Sequence, residues 1–293
     1  MKVAFLGLGA IGAPMAGRIA AAGHELVVWN RTRDRATAFA KSVKCTIAST
    51  AADAAKDCDV VVTCLSTSAD VEAVVDGGLL EAMSAGSALL DCTSGDPATS
   101  RRIAARLAAW SVLFVDAPVS GGVKGAEDGT LTVMCGGEPE ALERVRPVIE
   151  TFGKKIVHCG PVGAGDAVKA MNQALLAITI WGTGEVLAAL AKSGVSPQVA
   201  LDVINSSSGR SNASMNLFPE RVLSRAWPRT FRLALLDKDA RIAAQIARDE
   251  KVPSPLTQLA ADLCSLAHME LGEDADHVEA VKVIERWAQT EIQ

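Results

Sequence analysis

Gly7, Gly9 and Gly12, with Ala10 and Ile11 inside the spacing, spell G-x-G-x-x-G directly after the apolar run Val3–Leu6 and before an alanine-rich stretch. Between a strand and a helix, the first glycine makes a tight turn, the second lets backbone approach a pyrophosphate, and the third lets helix pack on strand. The phosphates then rest against the unpaired amides of a helix N-terminus. A second apolar run, Leu26–Trp29, ends in Asn30-Arg31-Thr32. A site reading the ribose hydroxyls of NAD normally carries Asp or Glu here, whereas Arg31 can pair with a 2′-phosphate and Asn30 and Thr32 can donate to it. Arg31, Arg33 and Arg35 also suit a solvated helix start, but three cations oppose the macrodipole there; a bound anion relieves this and favours NADP, with NAD the alternative.

Far along the chain, Lys169 precedes Asn172 and Gln173 by three and four residues, so all three share one face of a helix. A lone lysine in an apolar helix often snorkels to water. One with two amides beside it, just past the flexible Gly163-Ala164-Gly165 link, is a candidate proton acceptor and donor. Other groups offer less. Tyrosine is absent, which excludes a Tyr-Lys relay, and none of His24, His158, His268 and His277 lies in a segment with a nucleophile-and-acid arrangement. The seven cysteines show no zinc or redox spacing, so no metal is expected. A free lysine has a pKa of about 10.4, so a lysine base working near neutrality needs surroundings that lower it.

The elements that must position these groups follow from the apolar pattern. Short runs at Val3–Leu6, Leu26–Trp29, Val60–Leu65, Ala88–Cys92, Val112–Val115, Leu131–Met134 and Ile156–His158 alternate in the first part with helical stretches at Ala36–Lys41, Ala69–Met83 and Ala98–Trp110. That alternation predicts a doubly wound α/β sheet of Rossmann type. Asp128-Gly129 separates two strand runs by a short turn, which makes the sheet mixed at one side. After residue 162 the pattern becomes helical throughout. A helix over Asp166–Lys192, stopped by Ser193-Gly194 and about 40 Å long, joins the halves and is expected to be buried on most sides. Further helices are expected at Pro197–Ser206, Leu235–Glu250, Pro255–Leu271 and His277–Gln289. The division is thus 1–162 for a dinucleotide-binding domain and 163–293 for an all-α domain serving substrate and oligomerisation.

Composition narrows the class. Hydrophobic residues at 49% and charged residues at 22% describe a globular chain, and a net charge of −5 without any basic run argues against nucleic acid or membrane surfaces. Only 15 uncharged residues separate Lys169 from Glu185, fewer than the roughly 18 that suggest a membrane span. Gly7, Gly9, Gly12 and Pro14 break the opening run as no secretory leader would. Unpaired cysteines in apolar runs fit a reducing cytoplasm.

Four stretches, GLGAIGAPMA, DAPVSGG, GPVGAGDAVKAMNQ and FRLALLDKDARIA, occur in an order and spacing that resemble the β-hydroxyacid dehydrogenase family. The resemblance implies hydride transfer between NADP(H) and a small 3-hydroxy acid of the 3-hydroxyisobutyrate type. It makes Lys169 the acid/base, lets Ser120, Gly121 and Gly122 hold the substrate carboxylate, and has Asn172 orient the substrate. It also puts Lys238 near the nicotinamide end and lets Leu65, Ser66, Thr93 and Ser94 line the dinucleotide. Many relatives carry Asn four residues after the lysine, where Gln173 stands here, so Asn172 and Gln173 compete for the substrate contact. A homodimer or homotetramer is expected. Two other readings remain: an NADPH-dependent reductase of tartronate, glyoxylate or succinate semialdehyde, and a non-catalytic NADP-binding sensor or scaffold. An imine reductase would usually lack a lysine at 169.

Overall fold

The computed structural model describes residues 1–293, which form two compact units, Met1–Lys169 and Ala170–Gln293. The division therefore falls within the long helix, seven residues past the boundary at 162 expected from sequence.

In the first unit β1 (Lys2–Leu6), α1 (Gly12–Ala21), β2 (Glu25–Trp29), α2 (Arg33–Phe39), β3 (Thr46–Ile47), α3 (Ala51–Ala55) and β4 (Val60–Thr63) follow in order. Then come α4 (Ser68–Val74), α5 (Leu80–Ala82), β5 (Ala88–Asp91), α6 (Pro97–Ala108), β6 (Leu113–Asp116), β7 (Val119–Ser120), α7 (Gly122–Asp128), β8 (Leu131–Gly136), α8 (Pro139–Ile149) and β9 (Gly153–Gly160). The sheet order is β3-β2-β1-β4-β5-β6-β8-β7, with β9 paired to β8. Successive side chains of a strand point to opposite faces, and both faces here are apolar. Val3, Phe5, Val28, Val60 and Val62 pack with Met15 and Ile19 on one side, while Ala4, Leu6, Val27, Val61 and Leu89 pack with Val71, Ile103 and Leu107 on the other. Parallel sheets need that double cover, and the Rossmann-type reading is borne out.

The mixed edge also forms, by a different device from the one expected. Asp128-Gly129 is not a hairpin turn: it ends α7, with Gly129 left-handed at φ +69° as its C-cap. Antiparallel pairing comes instead from β6 and β7 against β8, while β9 joins β8 in parallel. The two-residue strands β3 and β7 are too short to leave an alternating signature, and Gly77-Gly78 breaks the helix expected over Ala69–Met83.

α9 (Ala164–Lys192) runs 29 residues and ends before Gly194 at φ +85°. Its length and apolar composition alone would suffice to cross a membrane, a longer stretch than the 15-residue run between charges suggests. It is less enclosed than expected: Ala177, Ile180, Trp181 and Leu187 enter the helical core, while Val168, Leu175, Gly182 and Val186 lie exposed, Leu175 by 64%.

The second unit continues with α10 (Pro197–Asn205), a π-helical segment (Ala213–Leu223) that the serine-rich composition before it did not suggest, α11 (Leu233–Asp249), α12 (Pro255–Leu271), a 3-10 turn (His277–Ala280) and α13 (Val281–Ala288). Asp276 ties these together. Its carboxylate accepts from the amides of Thr230, Phe231 and Val278 at 2.8–3.1 Å, pairs with His277 at 3.0 Å and meets Arg221 at 3.3 Å. Burial alone would raise its pKa, but the His277 contact and these donors outweigh it and hold the carboxyl well below the usual range. A depressed pKa contributes stability that is present above the unfolded value and lost as pH falls toward the folded one. Asp276→Asn is therefore expected to cost about 2–4 kcal/mol at pH 7 and clearly less at pH 3. Urea midpoints of both proteins at the two pH values check this; a cost independent of pH would remove the carboxylate's charge from the account.

Candidate active site

The parallel register lines up Leu6, Thr63, Asp91 and Asp116 as neighbours at the carboxyl ends of β1, β4, β5 and β6. Ligands of open α/β sheets bind beyond such ends, and the loops that leave them carry most of the candidate residues.

The loop after β1 is built by its glycines. Gly7 turns at φ +108°, and a Cβ there would stand 2.3 Å from the Cys64 carbonyl oxygen. A Cβ on Gly12 would stand 2.1 Å from the Gly7 oxygen, so the start of α1 lies directly on the turn. Gly9 differs: a Cβ there meets nothing within 4 Å, and the backbone faces open space. Helix α1 starts behind Ala10 and Ile11 with no side chain capping it; Ala13 donates to the Gly9 carbonyl at 3.0 Å and Pro14 has no amide hydrogen, so the Gly12 amide is the first-turn donor left for an anion. Tight packing at Gly7 and Gly12 with free approach at Gly9 is what a dinucleotide pyrophosphate requires, so the residues present fit that group.

The loop after β2 is braced rather than free. Asn30 Oδ1 accepts from the Leu8 amide at 2.9 Å and its Nδ2 donates to the Thr32 carbonyl at 2.9 Å, so this amide locks the glycine loop to the start of α2. Its side chain thus braces the backbone through Oδ1 and one of the two Nδ2 hydrogens. Thr32 stands at the N-cap of α2 without its side chain capping. Arg31 is 82% exposed and reaches Asp70, a residue the sequence reading did not single out, at 3.1 Å. Asp70 is itself held by a hydrogen bond from the Thr67 hydroxyl at 2.8 Å.

Beyond β4 and β5 the loops hold each other. The Leu65 amide donates to Thr93 Oγ1 at 3.0 Å, the Thr93 amide donates to Asp91 Oδ1 at 3.0 Å, and Thr63 Oγ1 donates to the same oxygen at 2.7 Å. Leu65 also abuts Gly7, its Cδ2 2.8 Å from where a Cβ would be. Ser66 and Ser94 follow in these same two loops. Ser120 closes β7 opposite Thr132, and Gly121 and Gly122 take φ +136° and +66° to enter α7, again with no side-chain cap. Nothing lies within 4 Å of a Cβ on Gly122. Successive glycine amides at an uncapped helix start can receive a carboxylate.

In α9, Lys169 is 8% exposed and Gln173, one turn on, is 5% exposed. Asn172 points to the exposed side, its Nδ2 3.3 Å from Gln173 Oε1. On α11 the Lys238 ammonium lies 3.0 Å from the buried Asp239 carboxylate. Asp116 and Asp166, which no local signal in the sequence marks out, are fully buried and lie inside two of the four family-like motifs. Burial pushes Asp116 up to about 6, and raises Asp166 well above the ordinary carboxylate range, with Asp116 and Asp91 adding repulsion. Elsewhere Ser265, Asp237 and His268 come together, but the serine hydroxyl donates to Asp237 rather than to the histidine, which is not a nucleophile's relay.

Comparison with known proteins agrees with this geometry. Residues 2–160 match the family described as the NAD binding domain of 6-phosphogluconate dehydrogenase, and residues 163–284 match that described as NAD-binding of NADP-dependent 3-hydroxyisobutyrate dehydrogenase. The chain is 36% identical to 3-hydroxyisobutyrate dehydrogenase of Pseudomonas aeruginosa over 94% of both chains. It is 35% identical to NAD-dependent L-serine dehydrogenase of the same organism, over 90% of this chain and 91% of the relative. The structure of Mycobacterium tuberculosis 3-hydroxyisobutyrate dehydrogenase with L-serine superposes with a TM-score of 0.90 at 30% identity, covering 97% of this chain and 98% of the other. A glycine loop shaped for a dinucleotide, on a fold shared almost end to end with hydroxy-acid dehydrogenases, places the protein in the β-hydroxyacid dehydrogenase family as an NAD(P)-dependent oxidoreductase of hydroxy acids.

Proposed function

We propose that the protein oxidises a small 3-hydroxy acid with NADP, and that Lys169 is its acid/base. The observation that carries this reading is the burial of Lys169 to 8% exposure in the first turns of α9, where a chain with no tyrosine has few other groups to move a proton. In this reading Ser120 and the amides of Gly121 and Gly122 grip the carboxylate. Lys169 Nζ takes the proton from the C3 hydroxyl oxygen as it becomes a carbonyl, and in the reverse direction returns it to that oxygen. The bound dinucleotide supplies the nicotinamide carbon that accepts the hydride. Gln173, buried on the Lys169 side, is the better placed of the two amides to hold the substrate, with Asn172 orienting it through their mutual hydrogen bond. Ser66, Ser94 and Lys238 keep the cofactor roles that the family resemblance assigns.

The preference for NADP rests on Arg31 and Thr32. The Arg31–Asp70 pair is largely exposed and worth at most about 1 kcal/mol, so a 2′-phosphate can draw the guanidinium away from it. Arg31→Asp is expected to raise KM for NADP at least about tenfold while KM for NAD moves less than about threefold. Initial rates with both dinucleotides decide it, and equal changes would sink the NADP assignment. Relatives named for 3-hydroxyisobutyrate and L-serine differ at C2 by methyl against amino, so these two compounds head the substrate panel. Self-association belongs to the same reading, since the exposed apolar stripe of α9 is large for a face left to water.

A further inference from the structure

The two buried carboxylates, Asp116 and Asp166, belong to no step of the proposed reaction, yet between them they accept from the start of α9, the loop after β5 and α6. Asp116, at the end of β6, accepts from the Gly163 amide through Oδ1 at 2.7 Å and from the Asp166 amide through Oδ2 at 3.0 Å. It thereby satisfies amides that the first turn of α9 would otherwise leave open, at the end where the helix dipole favours an acid. Asp166 in turn reaches the loop after β5 and the helix that follows: its Oδ1 accepts from the Gly95 amide at 3.1 Å and its Oδ2 from the Ser100 hydroxyl of α6 at 2.6 Å.

The fit around this clamp is close. A Cβ on Gly165 would stand 2.2 Å from the Met134 oxygen and 2.8 Å from Asp116 Oδ2, so the backbone of the turn lies directly on β8 and β6. A Cβ on Gly95 would stand 3.3 Å from both carboxyl oxygens of Asp166 and 2.8 Å from Ser68 Oγ. Lys169 follows Asp166 by three residues, on the same face of the helix. Thr93 and Ser94 immediately precede Gly95 in the loop that the clamp grips.

We infer that Asp166 is a positioning residue for Lys169: it pins the first turn of α9 to the Thr93–Gly95 loop, so that the lysine amine and the cofactor-lining loop keep one fixed offset. The inference rests on the reading of Lys169 as acid/base. Misplacement by about 1 Å can cost about 100-fold in rate, which makes such a pin worth burying a carboxyl group. Asp91 from β5 and Asp116 from β6 are the acids that repel Asp166, and Ser100 from α6 and the Gly95 amide are its donors. The acids push its carboxyl up and the two donors oppose them; asparagine has the same shape, keeps one accepting oxygen, and can donate from its amide to Ser100 Oγ once that hydroxyl turns.

Asp166→Ala removes both acceptors and is expected to lower kcat about 30-fold. KM for the hydroxy acid should stay within about threefold, and the apparent pKa in the kcat–pH profile should move by about half a unit or more, because the surroundings of the amine change. Asp166→Asn should restore kcat to within about threefold of the parent and return the profile. Near-parental turnover of Asp166→Ala, equal losses in both variants, or a loss that follows the folded fraction with an unmoved pH profile would each overturn the inference. If Asp166→Ala does not fold, Ser100→Ala removes the hydrogen bond that α6 gives to Asp166 just beyond that loop; about a fivefold loss of kcat with the profile shifted is expected, and parental kcat overturns the proposal. Lys169→Ala measured alongside separates the two claims. Parental activity there ends the acid/base reading itself, whereas an inactive Lys169→Ala beside an unaffected Asp166→Ala ends only the positioning role.

Discussion

Replacing Lys169 by alanine is expected to lower kcat at least about 100-fold while the dissociation constant for the dinucleotide stays within about threefold. The size follows from what is removed. A positioned general acid/base contributes about 10²–10⁴ in rate, and a chain lacking tyrosine has no phenol to substitute. The selectivity follows from placement. The glycine loop, the Asn30 brace and the Thr93–Leu65 contact are built from other elements and stay intact without Lys169. Lys169→Arg sharpens the test, because a guanidinium keeps the positive charge but cannot give up its proton near neutrality. Arginine should therefore fail to rescue if proton transfer is the role, and should rescue if only charge is needed. Single-turnover rates across pH, with dinucleotide affinity measured by titration, read both quantities. Near-normal turnover in Lys169→Ala would take the residue out of the mechanism.

The second large effect is expected at the glycine loop, where two neighbouring substitutions should fail in different ways. In Gly12→Ala the new methyl would stand 2.1 Å from the Gly7 oxygen, a contact that only movement of the turn or of α1 can relieve. Overpacking of this kind costs about 1–3 kcal/mol, and the displaced amides should weaken dinucleotide binding at least about tenfold. In Gly9→Ala the methyl meets no protein atom within 4 Å, so stability should change by no more than about 0.5 kcal/mol. The same methyl projects into the space where a pyrophosphate must approach, so affinity should fall comparably. Tm and dinucleotide Kd for the two variants separate the cases. A Gly9→Ala protein that binds like the parent would place the phosphates elsewhere.

Much of the first unit was legible because its signals are local. Val3–Leu6 and Leu26–Trp29 each read as a strand from four apolar residues and Ala88–Cys92 from three ahead of Asp91, and each forms one within a residue or two. Pro197, Pro255 and Gly194 punctuate helices where they were expected. The glycine spacing carried the turn, and the lysine with its two amides carried the face of α9. Illegible elements lacked a local signature. β7 is two residues long and exists because β8 offers an open edge, and Ala213–Leu223 winds as a π-helix around Pro219. Asp128-Gly129 shows one dipeptide serving two purposes: left-handed glycine ends a helix as readily as it turns a hairpin, and only the preceding residues folding as α7 decide between them.

The same division runs through the site. Residue types and short spacings determined by themselves that the chain carries a dinucleotide loop on a doubly wound sheet, that Lys169 is a candidate for proton transfer, and that Asn172 and Gln173 share its helix. The tertiary structure decided which of these groups are held and by what. It turned the Asn30 side chain inward to brace the glycine loop, gave Arg31 an acidic neighbour in Asp70, and buried Gln173 while leaving Asn172 exposed. It also joined Asp116 to Asp166 across 50 residues, and Asp166 to Gly95 across 71. Spacing along the chain is a local property, readable from the order of residues. Burial and hydrogen-bond partnership depend on which distant segments share a surface, and they set whether a carboxyl group is a solvated charge or a buried clamp.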